Sequence, residues 1–162
     1  MAESAQSELC LRTATPTDVP VILGLIRELA EYERKEVAAT EELLRVSLFG
    51  PHATAETLLA EVDGLAVGYA VYFAICSTFA GRTGIYLEDL YVQPAVRGQG
   101  IGRRMLAHVG RLAIERGCDR LVWSVLTWNE PAIRFYEELG AQPVSGWQQY
   151  RLTGSELARL AE

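Results

Sequence analysis

Val96-Arg97-Gly98-Gln99-Gly100-Ile101-Gly102-Arg103 joins a strand-like apolar run, Gly84 to Val92, to a helical run, Ile101 to Arg116. Ile101, Met105, Leu106, Val109 and Leu112 fall on one side of that helix, and Gly117 is its stop. The glycines let the backbone curl so that several N–H groups converge on one spot. The helix start adds unpaired donors and a partial positive charge. Arg97 and Arg103 flank it with full charges. Such a place holds a pyrophosphate. A Walker A loop is excluded because no Gly-Lys-Ser/Thr follows. A dinucleotide fingerprint fails because the third glycine comes one residue after the second instead of two, and no βαβ unit precedes it. The competing reading is a glycine-rich turn that only connects strand to helix.

Working outward, Leu9 to Ala14 reads as a first strand. Thr15 and Asp18 form a capping-box pattern around Pro16, and Val19, Ile22, Leu23, Ile26 and Leu29 follow at helical spacing to about Tyr32. Thr40 caps a second helix with Leu43, Leu44 and Leu48 as its buried side, closed by Gly50-Pro51. Glu56–Val62 and Leu65–Phe73 are strands joined by Asp63-Gly64, a tight hairpin turn. Arg120–Leu126 is a buried strand. Asn129 caps a short helix that Gly140 ends, with Pro131 in its first turn. Trp147–Leu152 reads as a last strand and Gly154–Leu160 as a terminal helical turn or two. The order predicts an α/β (α+β) fold, an antiparallel meander followed by a β-α-β crossover, with helices on both faces of a mixed sheet. Residues 1–8 are expected to be a polar, frayed leader and residues 9–162 a single domain.

The 162 residues carry a net charge of −6, with no basic tract suited to nucleic acid and no apolar run long enough for a bilayer. The start of the chain lacks a signal-peptide pattern, so a cytoplasmic location is expected. The three cysteines, Cys10, Cys76 and Cys118, lie far apart and only two histidines are present. They read as reduced structural thiols, and no metal site is expected.

Arg97-x-x-Gly100-x-Gly102 after an apolar strand resembles the central motif of the GNAT superfamily of N-acetyltransferases. Tyr86-Leu87-Glu88-Asp89-Leu90-Tyr91-Val92 and Trp128-Asn129-Glu130-Pro131-Ala132-Ile133-Arg134-Phe135-Tyr136 resemble its diamine (spermidine/spermine and thialysine) branch. The resemblance runs from about Leu9 to the C-terminus. It implies a mixed, mostly antiparallel sheet of about seven strands. It implies acetyl-CoA as cofactor, a small-molecule amine as partner, and a homodimer whose late strands meet across a two-fold axis. The coenzyme A contacts it implies are the backbone of Leu90, Tyr91 and Val92, the loop Arg97, Gly98, Gln99, Gly100, Ile101, Gly102 and Arg103, and then Asn129, Pro131 and Tyr136. The acceptor side would comprise Tyr32, Glu33, Glu88, Asp89 and Trp147.

Acetyl transfer to an amine also needs a proton acceptor and a proton donor. An amine with a pKa of ~10.4 is mostly protonated at neutral pH. The resemblance gives its proton to Glu88, directly or through water. Strict alternation would place Glu88 and Leu90 on one sheet face and Asp89 on the other, a register that a bulge would change. A solvated or salt-bridged strand acid is the competing reading of Glu88. Tyr136, at about 10, can protonate a departing thiolate of about 8.5. It lies about two turns from Asn129, on the same helix face; a packed core tyrosine is the alternative. Glu33 could pair with the second ammonium of a diamine, or be an ordinary solvated helix end. Trp147 could stack on a cation or pack in the core.

Two departures weigh on the acceptor. The mammalian polyamine enzymes carry an acid where this chain has Ser145, and a longer insertion where it has Asp63-Gly64. Shorter amines such as thialysine, lysine, ornithine or a small diamine thus become as plausible as spermidine. A peptide N-acetyltransferase is a second reading, against which the cluster Glu28, Glu31, Glu33 and Glu36 argues. A non-catalytic acyl-CoA-binding module is a third, which would have no need of Tyr136 or Glu88.

Overall fold

The meander and the crossover both form. The computed structural model describes residues 8–162, so all of the expected leader except Glu8 lies outside the described residues. The chain divides into two units, one ending at Ser124 and the other spanning Val125–Glu162.

The first unit is built on a sheet of five strands, β1 (Leu9–Thr13), β2 (Ala55–Val62), β3 (Leu65–Ser77), β4 (Arg82–Val92) and β5 (Leu121–Trp123), in that spatial order. The first three pairings are antiparallel, and β4–β5 is parallel. A parallel pair needs a crossover, which α3 (Ile101–Glu115) supplies. The β2–β3 turn has Asp63 at φ +51° and Gly64 at φ +80°, the pair of positive angles that a two-residue hairpin of this type requires. At Gly68 a Cβ would come 2.6 Å from the Tyr91 carbonyl oxygen, so β3 meets β4 there only because the residue is glycine.

α1 (Val19–Glu33) follows a 3₁₀ turn at Pro16–Asp18. Asp18 accepts from the Thr15 N–H at 2.7 Å, closing the expected box, and also takes two bonds from Arg12 at 2.8 Å each. Arg12 bridges to Glu61 at 2.7 Å, so the start of α1 is tied to two strands. In α2 (Glu41–Phe49) Thr40 Oγ1 accepts from the Leu43 N–H at 3.2 Å. Leu43 itself is 57% exposed, against expectation. The inward side is carried by Leu48 and Phe49, which join the cluster of Ile22, Leu25, Leu59, Tyr69, Val71 and Tyr91. The residues that alternate with these on the strands, Leu58, Ala70, Ile85 and Leu87, are buried as well. α3 packs against β4 and β2. Both faces of the sheet are therefore covered.

The second unit holds α4 (Glu130–Glu138) and α5 (Gly154–Leu160). The strand expected at Trp147–Leu152 does not form, and β5 is three residues long where Arg120–Leu126 was expected. The sheet therefore has five strands, not about seven, among the described residues. Alternation alone does not make a strand; a ladder of backbone bonds does. The segment 147–152 has no such ladder, and its aromatic rings at Trp147 and Tyr150 are exposed. No helix among the described residues is long and apolar enough to cross a membrane.

Candidate active site

β4 carries a bulge where the acids lie. Tyr72 of β3 pairs with Leu87, and the next residue back, Val71, pairs with Asp89. Glu88 is the extra residue, and it is exposed. Asp89, opposite Val71, keeps the face of Tyr69 and Tyr91, away from Leu90 as expected, while the bulge takes Glu88 out of the ladder and sets Leu87 on the other face from Asp89. The Tyr69 hydroxyl donates to Asp89 Oδ2 at 3.1 Å. Tyr69 is fully buried.

The electrostatics follow from that placement. Burial pushes the Asp89 carboxyl up from the ordinary carboxylate range, and the Tyr69 bond pulls it back. The charges of Glu88 and Glu33 raise it further and Lys35 lowers it. Burial, then the charge of Asp89, drives the Tyr69 hydroxyl far above its usual range, so it stays a donor. α1 ends at Arg34, a left-handed residue at φ +57° whose N–H bonds back to Ala30 and Glu31. The next residue, Lys35, places Nζ 2.6 Å from Glu33 Oε2. Asp89 thus feels one primary ammonium, that of Lys35, against two neighbouring carboxylates, Glu33 and Glu88.

The glycine loop begins one residue beyond β4. After a 3₁₀ turn at Pro94–Val96, Gly98 and Gly100 sit at φ +77° and +76°. Gly100 caps α3 without a side chain to offer, leaving the first-turn N–H groups as the helix end provides them. Arg97 does not stand beside the cradle as a plain flanking charge. Its Nε donates to the Val92 carbonyl at 2.8 Å, and its guanidinium lies 5.2 Å from the Tyr32 ring centre and 5.5 Å from that of Tyr91. The Tyr91 hydroxyl donates to Glu28 at 3.1 Å, and Gln93 Nε2 donates to the same carboxylate at 2.9 Å. Burial first, and then Glu28, raises the Tyr91 hydroxyl. The loop is therefore fastened to α1.

β4 and β5 share three pairs, ending at Leu87 and Trp123. The Tyr86 hydroxyl and Ser124 Oγ, 2.7 Å apart, mark the end of the contact. From Glu88 to Val92, β4 has β3 as its strand partner on one side and, among the described residues, no strand on the other. That edge offers backbone donors and acceptors to an extended amide chain.

The structure thus groups Tyr32, Tyr91, Val92 and Arg97, and it groups Glu33, Glu88 and Asp89. Residues that the sequence reading missed are Tyr69, Gln93 and Lys35, and it named Glu28 only as one of an acidic cluster. Glu28 sits one helical turn before Tyr32, a spacing that could have flagged it; Tyr69 reads as an ordinary core aromatic. In the second unit, Asn129 Oδ1 accepts from the Ala132 N–H at 3.4 Å and caps α4, with Pro131 in the first turn. The half-buried ring of Tyr136 lies 5.2 Å from that of Phe135. Trp147 is 80% exposed and belongs to no strand. Among the described residues there is no group of three or more His, Cys, Asp or Glu that could hold a metal ion.

Residues 23–141 match the model of the acetyltransferase (GNAT) family. The chain belongs to the GNAT acetyltransferase family. Thialysine N-epsilon-acetyltransferase of Mus musculus is 39% identical over 164 residues, which cover 93% of this chain and 96% of that one. Among solved structures, an integron cassette protein of V. cholerae superposes with a TM-score of 0.82 at 26% identity, covering 95% of this chain and 98% of the other. An aminoglycoside N-acetyltransferase in complex with CoA superposes with a TM-score of 0.75 at 19% identity, covering 93% and 99%. The protein is a GNAT acetyltransferase similar to the diamine and thialysine branch.

Proposed function

We propose that this GNAT acetyltransferase moves an acetyl group from acetyl-CoA to a primary amine of a small cationic acceptor, such as thialysine, a basic amino acid or a diamine. The observation that carries the donor half is the free edge of β4 beyond Leu87, leading directly into a positive-φ glycine loop and an uncapped helix start. These residues fit coenzyme A. The β4 edge from Leu90 to Val92 would hold the pantetheine amides, and the N–H groups of Gly98–Arg103 the pyrophosphate. Arg97 steadies the loop from behind.

Acetyl-CoA supplies an activated thioester. The chain's residues do the rest. Glu88 accepts the ammonium proton, directly or through water, so that the amine nitrogen can attack the carbonyl. A backbone N–H of Leu90 or Val92 polarises the carbonyl oxygen. As the C–N bond forms and the C–S bond breaks, Tyr136 gives its proton to the sulfur and recovers one from the amine side or water. Asn129 and Pro131 belong with Tyr136 to the coenzyme A contacts.

Lys35 supports the acceptor half. Its ammonium already sits on Glu33, and it is the one cation that acts on Asp89 against the charges of Glu33 and Glu88. That imbalance suits a second primary ammonium. Tyr32 would line this side, and Trp147, with its ring accessible, can stack on a cation. The relative named for thialysine supports a short basic acceptor. A thiol-release assay with acetyl-CoA and a panel of thialysine, lysine, ornithine, small diamines, spermidine and peptides tests the reading. Release with the short amines is expected. Release with peptides alone contradicts it, and so does acetyl-CoA binding with no release at all.

A homodimer belongs to the same proposal. Val144, Tyr150, Leu157 and Leu160 of the second unit are all exposed apolar or aromatic residues, which supports their burial against another copy. Sedimentation at micromolar concentration should give twice the monomer mass; a monomer there refutes the dimer.

A further inference from the structure

We infer that Tyr69 is a positioning residue for the acceptor amine: through its hydroxyl it holds the Asp89 carboxylate in the orientation in which that carboxylate receives an ammonium group. Three observations carry this. Asp89 pairs with Val71 two residues before Tyr91 pairs with Tyr69, so it lies on the face of Tyr69, and the bulge at Glu88 directly before it extrudes the neighbouring acid from the ladder. Tyr69 is fully buried in the core with Ile22, Leu25 and Tyr91, so its ring has one place to be and its hydroxyl one direction to point. That hydroxyl reaches Asp89 Oδ2 at 3.1 Å and leaves Oδ1 for another donor.

The groups that face Asp89 are Tyr69 from β3, Glu88 from β4, and Glu33 and Lys35 from the end of α1. Tyr91 and Glu33 also act on Tyr69. Of these only Lys35 is a cation, and it is ion-paired with Glu33. An acceptor ammonium would be the natural partner of Asp89, provided the carboxylate is charged. Burial opposes that charge, and the Tyr69 bond favours it. Tyr69 therefore both aims the carboxylate and keeps it ionised toward lower pH.

The inference rests on the amine-acetyltransferase reading for the identity of the ligand, and its test separates the two. Calorimetric affinities for thialysine and 1,3-diaminopropane, measured with CoA present and across pH 5–8, compare the wild type with Tyr69→Phe, Asp89→Asn and the double variant. Tyr69→Phe should weaken amine binding about tenfold and leave the affinity for CoA unchanged. Its acid limb should move up by about one pH unit, because the lost bond favoured the charged carboxylate. In the Asp89→Asn background the same change should add little, since no charge is left to orient. A purely structural loss would be additive in that background and would leave the limb in place. Additivity overturns the inference, as does Tyr69→Phe binding within twofold of wild type at every pH, or a wild type that binds neither amine. A wild type that binds amine but releases no thiol in the assay above sinks the acetyltransferase reading, while the affinities still decide the role of Tyr69.

Discussion

Between Gln93 and Arg103 the chain presents backbone; around Asp89 it presents side chains. The proposed donor side rests chiefly on one continuous segment, in which Gly98, Gly100 and the start of α3 present backbone N–H groups. The proposed acceptor side draws Tyr69 from β3, Glu88 and Asp89 from β4, and Glu33 and Lys35 from the end of α1. The two constructions differ in how each can vary. A pyrophosphate cradle made of backbone depends on φ angles and tolerates no new side chain at its glycines. An acceptor cluster made of side chains can be retuned by one residue at a time without disturbing the donor.

Substitutions on each side put that contrast at risk. The largest effect is expected at Tyr136, whose hydroxyl we assign to the chemistry although the residue also belongs to the proposed coenzyme A contacts. Tyr136→Phe should lower turnover about 100-fold or more while acetyl-CoA and amine affinities, read by calorimetry, hold within about twofold. Next is the donor side alone. Gly100→Val forces a β-branched residue into φ +76°, and a left-handed cost of about 1–2 kcal/mol should appear as a ~5- to 30-fold loss of acetyl-CoA affinity, with amine affinity kept.

Arg97 is the residue that should blur the contrast, because it joins the loop to Tyr32 of α1. Arg97→Met should weaken both ligands by a factor of about 2 to 5, as expected from a cation–π contact of about 0.5–1 kcal/mol, in titrations of each. The smallest effect should come from the Arg12–Asp18–Glu61 network, remote from both sides. The Arg12 guanidinium holds the Asp18 carboxyl well below the usual range. A carboxyl lowered on folding stabilises the fold above its unfolded pKa, about 3.9, and that contribution is lost as pH falls below it. Asp18→Asn should cost about 1 kcal/mol or less at pH 7. The gap from wild type in thermal melts should shrink as pH drops below about 4.

The glycine loop was legible because its conformational requirement is written in residue identity. A backbone that needs positive φ at two near positions asks for glycine, and Gly98 and Gly100 announce it. Asp63-Gly64 was legible for the same reason, and Thr15 with Asp18 because a cap is a local contact. The grouping of acids around Asp89 was only half legible. Glu33, Glu88 and Asp89 stood out as acids, but nothing in Ile85–Val92 marks which residue the strand will extrude. The bulge is decided by pairing with β3. Tyr69 reads as core and is core; only its hydroxyl has a second task. Lys35 lies just past a helix end, where the chain turns through a left-handed Arg34 that no glycine advertises. The strand expected at Trp147–Leu152 failed because its alternation says nothing about a partner ladder.

Whether donor and acceptor sides are built and bind separately is tested most directly by one matrix of four affinities: acetyl-CoA and thialysine, each with Gly100→Val and with Asp89→Asn, by calorimetry. Gly100→Val should weaken acetyl-CoA about tenfold and leave thialysine within about twofold, and Asp89→Asn should do the reverse. Equal loss of both ligands in either variant would refute the separation.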